Sequence, residues 1–258
     1  MKKIIAFIIL IGLTLMLILL PKDNYTNNGE KIIGSYDIKN GEYSYLNKTK
    51  FTEDNLDKLE IISDYIENIL PRETFDMLDS LIIMSDGNGK TLAYVYQTKN
   101  KWTLCIDYLD ALDEENILDE DFVATLSHEL MHLISLNEDQ FDNTQSTKTY
   151  ETTEGKLSYA SYLNQFYNLF WLDEAENHSM YLLDGDAGRI RYFDEHIDMF
   201  INDYAATSLE EDIAESFAAF VLLDKPRGNK IYEKKILFFY NYPELVDIRN
   251  EIRKNSGV

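Results

Sequence analysis

Residues 121–136 (DFVATLSHELMHLISL) contain His128, Glu129 and His132 in the pattern H-E-x-x-H. On a helix, side chains four apart lie one above the other, so the two imidazoles can meet a single cation. Glu129 then sits beside them, about 100° round the axis. Zinc hydrolases use this arrangement to activate water, with one Zn2+ per site. A catalytic zinc site also needs a third protein ligand and a position left open for solvent.

The best source of that ligand is the run from Thr207 to Phe220, TSLEEDIAESFAAF. Thr207 or Ser208 can cap a helix, on which Glu211, Ala214, Glu215, Ala218 and Leu222 share one face, with Ile213, Phe217 and Phe220 on the adjoining side. Two carboxylates among alanines on a face otherwise suited to burial are costly unless a cation or hydrogen-bond donors meet them. Glu211 is therefore assigned as the third ligand. Glu215, one turn on, is assigned as an acceptor that holds a ligand histidine or a neighbouring group, and is the reserve ligand. The competing reading makes Ser208 and Glu211 an ordinary capping box, although Thr207 and Glu210 satisfy the same pattern and leave Glu211 free. His178 and His196 are further candidates. A Gly and a His do not follow the first motif at the spacing of metzincins, since Ser135 and Glu138 stand there.

Several elements must position these groups. Phe122, Val123, Leu126, Leu130, Leu133 and Ile134 form an apolar arc opposite the histidines, and Asp119, Glu120 and Asp121 suit the positive end of the helix dipole. Before this helix, Leu81–Ser85, Thr91–Gln97 and Leu104–Tyr108 read as short strands separated by turn sequences, which gives a small, mostly antiparallel sheet. An amphipathic helix is expected from Phe51 to about Ile69, where Thr52 can cap and Pro71 follows. After the motif, the polar stretch 137–156 reads as a loop near the cleft. The aromatic run from Tyr159 to Trp171 reads as core, and helices continue to the C-terminus with breaks near 184–188 and 225–228. The expected class is α+β, mostly helical, with 51–258 as one domain and 21–50 as a linker.

Met1-Lys2-Lys3 precedes an uncharged run from Ile4 to Leu20 that ends at Pro21. The run is long for a signal core and no small-x-small site follows, so residues 1–20 are expected to be a membrane anchor or a signal segment. Either places the remainder on the extracellular side of a bacterial cytoplasmic membrane, anchored or secreted. A formal net charge of −22 argues against nucleic acid as a partner. The one cysteine, Cys105, lies in an apolar run and excludes an internal disulfide.

H-E-x-x-H, followed far downstream by Tyr204 and then Glu211-Asp-Ile-Ala-Glu215, resembles the gluzincin metallopeptidases of the anthrax lethal factor type, which include secreted bacterial Pro-Pro endopeptidases. The likeness spans about 81–223, and its specific part is the two motifs. The C-terminal runs 200–220, 235–240 and 243–249 are also similar to exported zinc peptidases of low-GC Gram-positive bacteria. The resemblance implies a zincin-like metallopeptidase domain with Glu211 as the zinc ligand and Tyr204 stabilising the oxyanion. The substrate would be a peptide or protein of unspecified sequence. Glu129 would then be the base that takes the proton from water. The alternative from another class is a membrane-tethered zinc-binding or structural module without catalytic activity. A structural site, however, prefers four protein ligands.

Overall fold

The computed structural model describes residues 31–39, 42–45, 53–87, 89, 91–98, 101–112, 119–142 and 149–258. The expected anchor or signal segment at residues 1–20 lies outside the described residues. Among those described, no helix is long and apolar enough to cross a membrane.

Among the described residues, five strands form one sheet: β1 (Lys31–Lys39), β2 (Glu42–Tyr45), β3 (Leu78–Ser85), β4 (Ala93–Thr98) and β5 (Lys101–Asp107), in the order β2-β1-β3-β5-β4. The β3–β5 pairing is parallel and the other three are antiparallel, so the sheet is mixed. The expected linker is thus corrected, because two of the strands fall within 21–50. Tyr36 and Ile38 alternate with Asp37 and Lys39, as a half-buried strand requires. A register shift between Ile32 and Gly34 turns Ile33 inward as well, which breaks a simple alternation. Gly34 permits close packing, since a Cβ there would meet the Leu59 side chain at 2.5 Å.

Among the described residues, ten α-helices follow from the remaining patterns. Helix α1 (Glu53–Ile69) buries Leu59, Ile62, Ile66 and Ile69 on one stripe and ends before Pro71. Two single turns, α2 (Arg72–Phe75) and α3 (Tyr108–Ala111), flank the sheet strands, and α4 (Asp119–Ser135) carries the H-E-x-x-H motif. Next come α5 (Tyr162–Phe170), α6 (Ala175–Leu182), α7 (Gly185–Glu195), α8 (Leu209–Leu222), α9 (Ile231–Phe238) and α10 (Pro243–Ser256). The expected break near 184–188 is shorter than the sequence suggests. It is confined to Leu183 and Asp184, and Gly185, at φ +62°, opens α7 in a conformation that suits a residue without Cβ. Of the aromatic run, Phe166 and Trp171 are buried and Tyr159 is exposed. One apolar cluster extends from Ile33 on β1 to Ile252 on α10, so sheet and helices share a core.

A buried charge pair crosses that core. Lys235 of α9 and Asp212 of α8 are both fully buried; the Lys235 Nζ donates to Asp212 Oδ2, which also accepts from Trp171 Nε1 at 2.7 Å. The ammonium lies 4.3 Å from the centre of the Phe200 ring. Lys235→Met should therefore leave Asp212 as an uncompensated buried carboxylate and lower the unfolding free energy by about 3–5 kcal/mol. Pairing it with Asp212→Leu should recover part of that loss. Urea denaturation followed by circular dichroism measures both, and equal stability of wild type and Lys235→Met would overturn the expectation.

Candidate metal centre

Helix α4 reaches the site because its back is apolar. Phe122, Val123, Leu126, Leu130, Met131, Leu133 and Ile134 are all buried, which leaves His128 and His132 facing α8. Helix α8 packs directly on α4. Ser208 caps α8 by accepting from the Glu211 N–H at 3.2 Å. The capping box is therefore only half made: the Glu211 backbone N–H serves the Ser208 cap, while its carboxylate turns to the histidines instead of back to the helix start.

Three ligand atoms converge. The Nε2 atoms of His128 and His132 are 3.0 Å apart, and Glu211 Oε2 lies 3.1 Å from the first and 3.6 Å from the second. A tetrahedral zinc with bonds of about 2.05 Å has ligand–ligand edges of about 3.3 Å, which these separations bracket. Glu211 Oε2 is buried and receives no aligned hydrogen bond despite its two ring neighbours. A buried carboxylate oxygen with no aligned donor, facing two imidazole nitrogens, fits a divalent cation at the shared centre. Of the described residues, His128, His132 and Glu211 form one group able to hold a metal. A second such group, Asp86, Asp107 and Asp110, lies where β3 and β5 end and α3 begins, and there Asp107 accepts from the Asp86 and Leu109 N–H groups and so caps α3.

Around this triad, Glu215 Oε1 approaches His128 Nδ1 to 2.8 Å, off the line of the ring N–H. That contact favours the tautomer whose Nε2 lone pair points at the centre. Burial by itself lowers the His128 pKa, but the Glu211 and Glu215 carboxylates, with Glu129 behind them, outweigh it and push it up to about 10 in the metal-free protein. Burial raises the carboxyl of Glu211, yet the two imidazoles hold it well below the usual range. The metal-free cluster thus keeps one proton where a cation would sit.

Glu129 is buried, and burial raises its pKa against the pull of His132 and His128. Its Oε2 accepts from the Val95 N–H of β4 at 2.9 Å, which fixes the carboxylate at the sheet edge. Tyr204 is half exposed, its ring 5.9 Å from that of His128. Partial burial, together with Glu211, Glu129 and Glu215, keeps its hydroxyl protonated. The cleft above is walled by Leu92, Ala93, Ala124, Thr125 and Ala218.

All six sequence-assigned residues, His128, Glu129, His132, Tyr204, Glu211 and Glu215, meet in this one place. His178 does not. It is buried against Trp171 and Tyr192, with Nε2 bonded to the Ala206 carbonyl at 2.8 Å, and burial lowers its pKa. His196 stacks on Tyr192 and bonds the Tyr192 carbonyl through Nδ1. Two participants escaped the sequence reading: the Val95 N–H, a backbone group visible only once the sheet edge is known, and Asn202, whose Nδ2 donates to Glu215 Oε2 at 2.6 Å.

No protein-family model matches the chain, and no curated protein matches it. A solved structure from Bacteroides caccae, described as a candidate zinc-binding metallo-peptidase, is similar over 82% of each chain, with 14% identity and a TM-score of 0.39. A likeness at that level fixes neither family nor activity.

Equilibrium dialysis followed by metal analysis should find one zinc per wild-type chain and much weaker retention in Glu211→Ala; undiminished retention would pass the ligand role to Glu215. Because His128 holds its proton up to about pH 10 without metal, zinc must displace that proton near neutrality. Zinc affinity should accordingly rise with pH through the neutral range and fall on acidification. Indicator-dye titration in weak buffer reads the released proton, and pH-independent uptake would contradict the assignment.

Proposed function

We propose that this chain is a zinc-dependent endopeptidase of the gluzincin kind, hydrolysing peptide bonds of a peptide or protein substrate. The observation that carries this reading is Glu129. It is buried beside the two-histidine, one-carboxylate triad but faces the cleft and the sheet edge, where a purely structural site has no use for it.

Zinc bound by His128, His132 and Glu211 would supply Lewis acidity, lowering the pKa of a water at the open position and polarising the scissile carbonyl. Glu129 takes the proton from the attacking water. It then returns that proton to the leaving amine. Its bond to Val95 holds one carboxylate oxygen and leaves the other for proton transfer. Tyr204 keeps its hydroxyl proton among the carboxylates and can donate to the oxyanion as it forms. Strand β4 closes the sheet order on the side of the cleft, so an extended peptide can add to its outer edge at Ala93, next to the Val95 N–H that Glu129 takes.

The lethal factor type in particular is supported by the Tyr204–Glu211–Glu215 spacing alone. We also place the action on the extracellular side of the membrane, tethered or released, on the strength of the run from Ile4 to Leu20.

Glu129→Gln should keep zinc and lower kcat/KM for peptide hydrolysis by about 10²–10⁴-fold. Tyr204→Phe should lower kcat by about 10²–10³-fold with little change in zinc content. Fluorogenic peptide libraries with metal analysis of each variant provide the measurement. Turnover by Glu129→Gln equal to wild type would end the enzyme reading, and a wild-type protein that binds zinc without cleaving any library would leave a non-catalytic zinc module.

A further inference from the structure

Asn202 occupies an unusual position between the two halves of the site. Its amide Nδ2 donates to Glu215 Oε2 at 2.6 Å, and its Oδ1 accepts from the Ala205 N–H at 2.9 Å. The other oxygen of Glu215, Oε1, is the one that meets His128 Nδ1 at 2.8 Å. One side chain therefore holds both the carboxylate behind a triad histidine and the backbone turn that carries Tyr204. This turn is short, with the Thr207 N–H bonded to the Tyr204 carbonyl at 2.9 Å.

The rest of the turn is anchored from other directions. The Arg189 guanidinium donates to the Asp203 carbonyl at 2.6 Å and to its carboxylate at 3.0 Å, and His178 bonds the Ala206 carbonyl. Neither of these contacts reaches the triad. The bond made by Asn202, in contrast, runs into the carboxylate that meets His128.

From this we infer that Asn202 is a positioning residue for the peptidase site: it sets the rotamer of Glu215, and so the ring of His128, and it fixes Tyr204 relative to the same ring. The inference rests on the zinc-peptidase reading above. An amide is suited to the task because it offers a donor to the carboxylate and an acceptor to the backbone N–H at once. A carboxylate at 202 would keep the acceptor and replace the donor with a charge facing Glu215. Asn202→Asp therefore separates the two arms, whereas Asn202→Leu removes both.

The test uses the full chain with zinc and, separately, with cobalt as a spectroscopic substitute. Chelator competition without substrate should show zinc affinity lowered roughly tenfold or more in both variants, as expected when the partner of a ligand histidine is disturbed. The cobalt d–d bands should shift in both, since the His128 ring turns. Asn202→Leu should in addition lower kcat while leaving KM near wild type, and in the Tyr204→Phe background it should lower kcat by a smaller factor than in the wild type. Should the leucine variant fail to fold, Asn202→Asp decides the Glu215 arm by affinity and spectrum. Zinc affinity within about twofold of wild type with unchanged cobalt bands would overturn the inference while leaving the peptidase reading intact. A wild-type protein that takes up no zinc would sink both.

Discussion

Two imidazoles and two carboxylates are forced against one another in a largely buried cleft between α4 and α8, and most other features of the molecule answer to that constraint. Removing Glu211 from water costs several kcal/mol unless positive charge meets it. In the metal-free chain the compensation is a proton on His128: burial opposes it, but the Glu211 and Glu215 carboxylates push the His128 pKa up to about 10, and the imidazoles in turn hold Glu211 below the usual range. A divalent ion would satisfy the same atoms better, since it meets both ring nitrogens and Glu211 Oε2 at once, whereas the proton leaves that oxygen without an aligned donor. Such a cluster stays assembled only if its scaffold is stiff. The scaffold is the apolar back of α4, the capped start of α8, and the Lys235–Asp212–Trp171 network beginning one residue after Glu211.

The turn at 202–207 shows how the scaffold is extended to groups that are not on helices. Tyr204 is half exposed and lies outside any regular element, so no ladder of backbone bonds fixes it. Its neighbours perform that task instead. Asn202 is tied to Glu215, Asp203 to Arg189, Ala206 to His178, and Ala205 and Ala206 are buried. His178 illustrates how composition misleads when histidines are few. It is spent on a neutral hydrogen bond within an aromatic cage, where burial makes the charged form unfavourable.

Local signals made the centre of the site legible from sequence, and tertiary ones hid its margins. Helix α4 could be read because motif and apolar arc have the same 3.6-residue period, and Glu211 because carboxylates among alanines on an inward face demand a partner. Strand β1 was hidden by the register shift between Ile32 and Gly34, which puts three apolar residues on one side over an uneven spacing, and by flanks rich in Asn, Lys and Gly. The parallel pairing of β3 with β5 was equally unreadable. Strand β4 follows β3 in the chain but pairs with β5 at the sheet's end, a crossover that no local pattern encodes. Asn202 carries no signature of its own, since its role depends on α8 presenting Glu215 thirteen residues later.

The bond between Glu129 and Val95 links chemistry to sheet architecture. On an edge strand paired antiparallel, alternate residues turn their backbone groups away from the sheet. Val95 points its N–H to Glu129, and Leu92 points its carbonyl to Asp107 on β5, so Ala93, Val95 and Gln97 are the outward set. Ala93 also lines the cleft. On the proposal above, a peptide added to this edge would pair with the Ala93 backbone and the Val95 carbonyl, since Glu129 already takes the Val95 N–H. The position of Glu129, the proposed base, and the register of such a strand would then be set by the same backbone segment. A shift of β4 along β5 by one residue would turn the Val95 N–H into the sheet and release Glu129 from its anchor, so the register of one hairpin governs both.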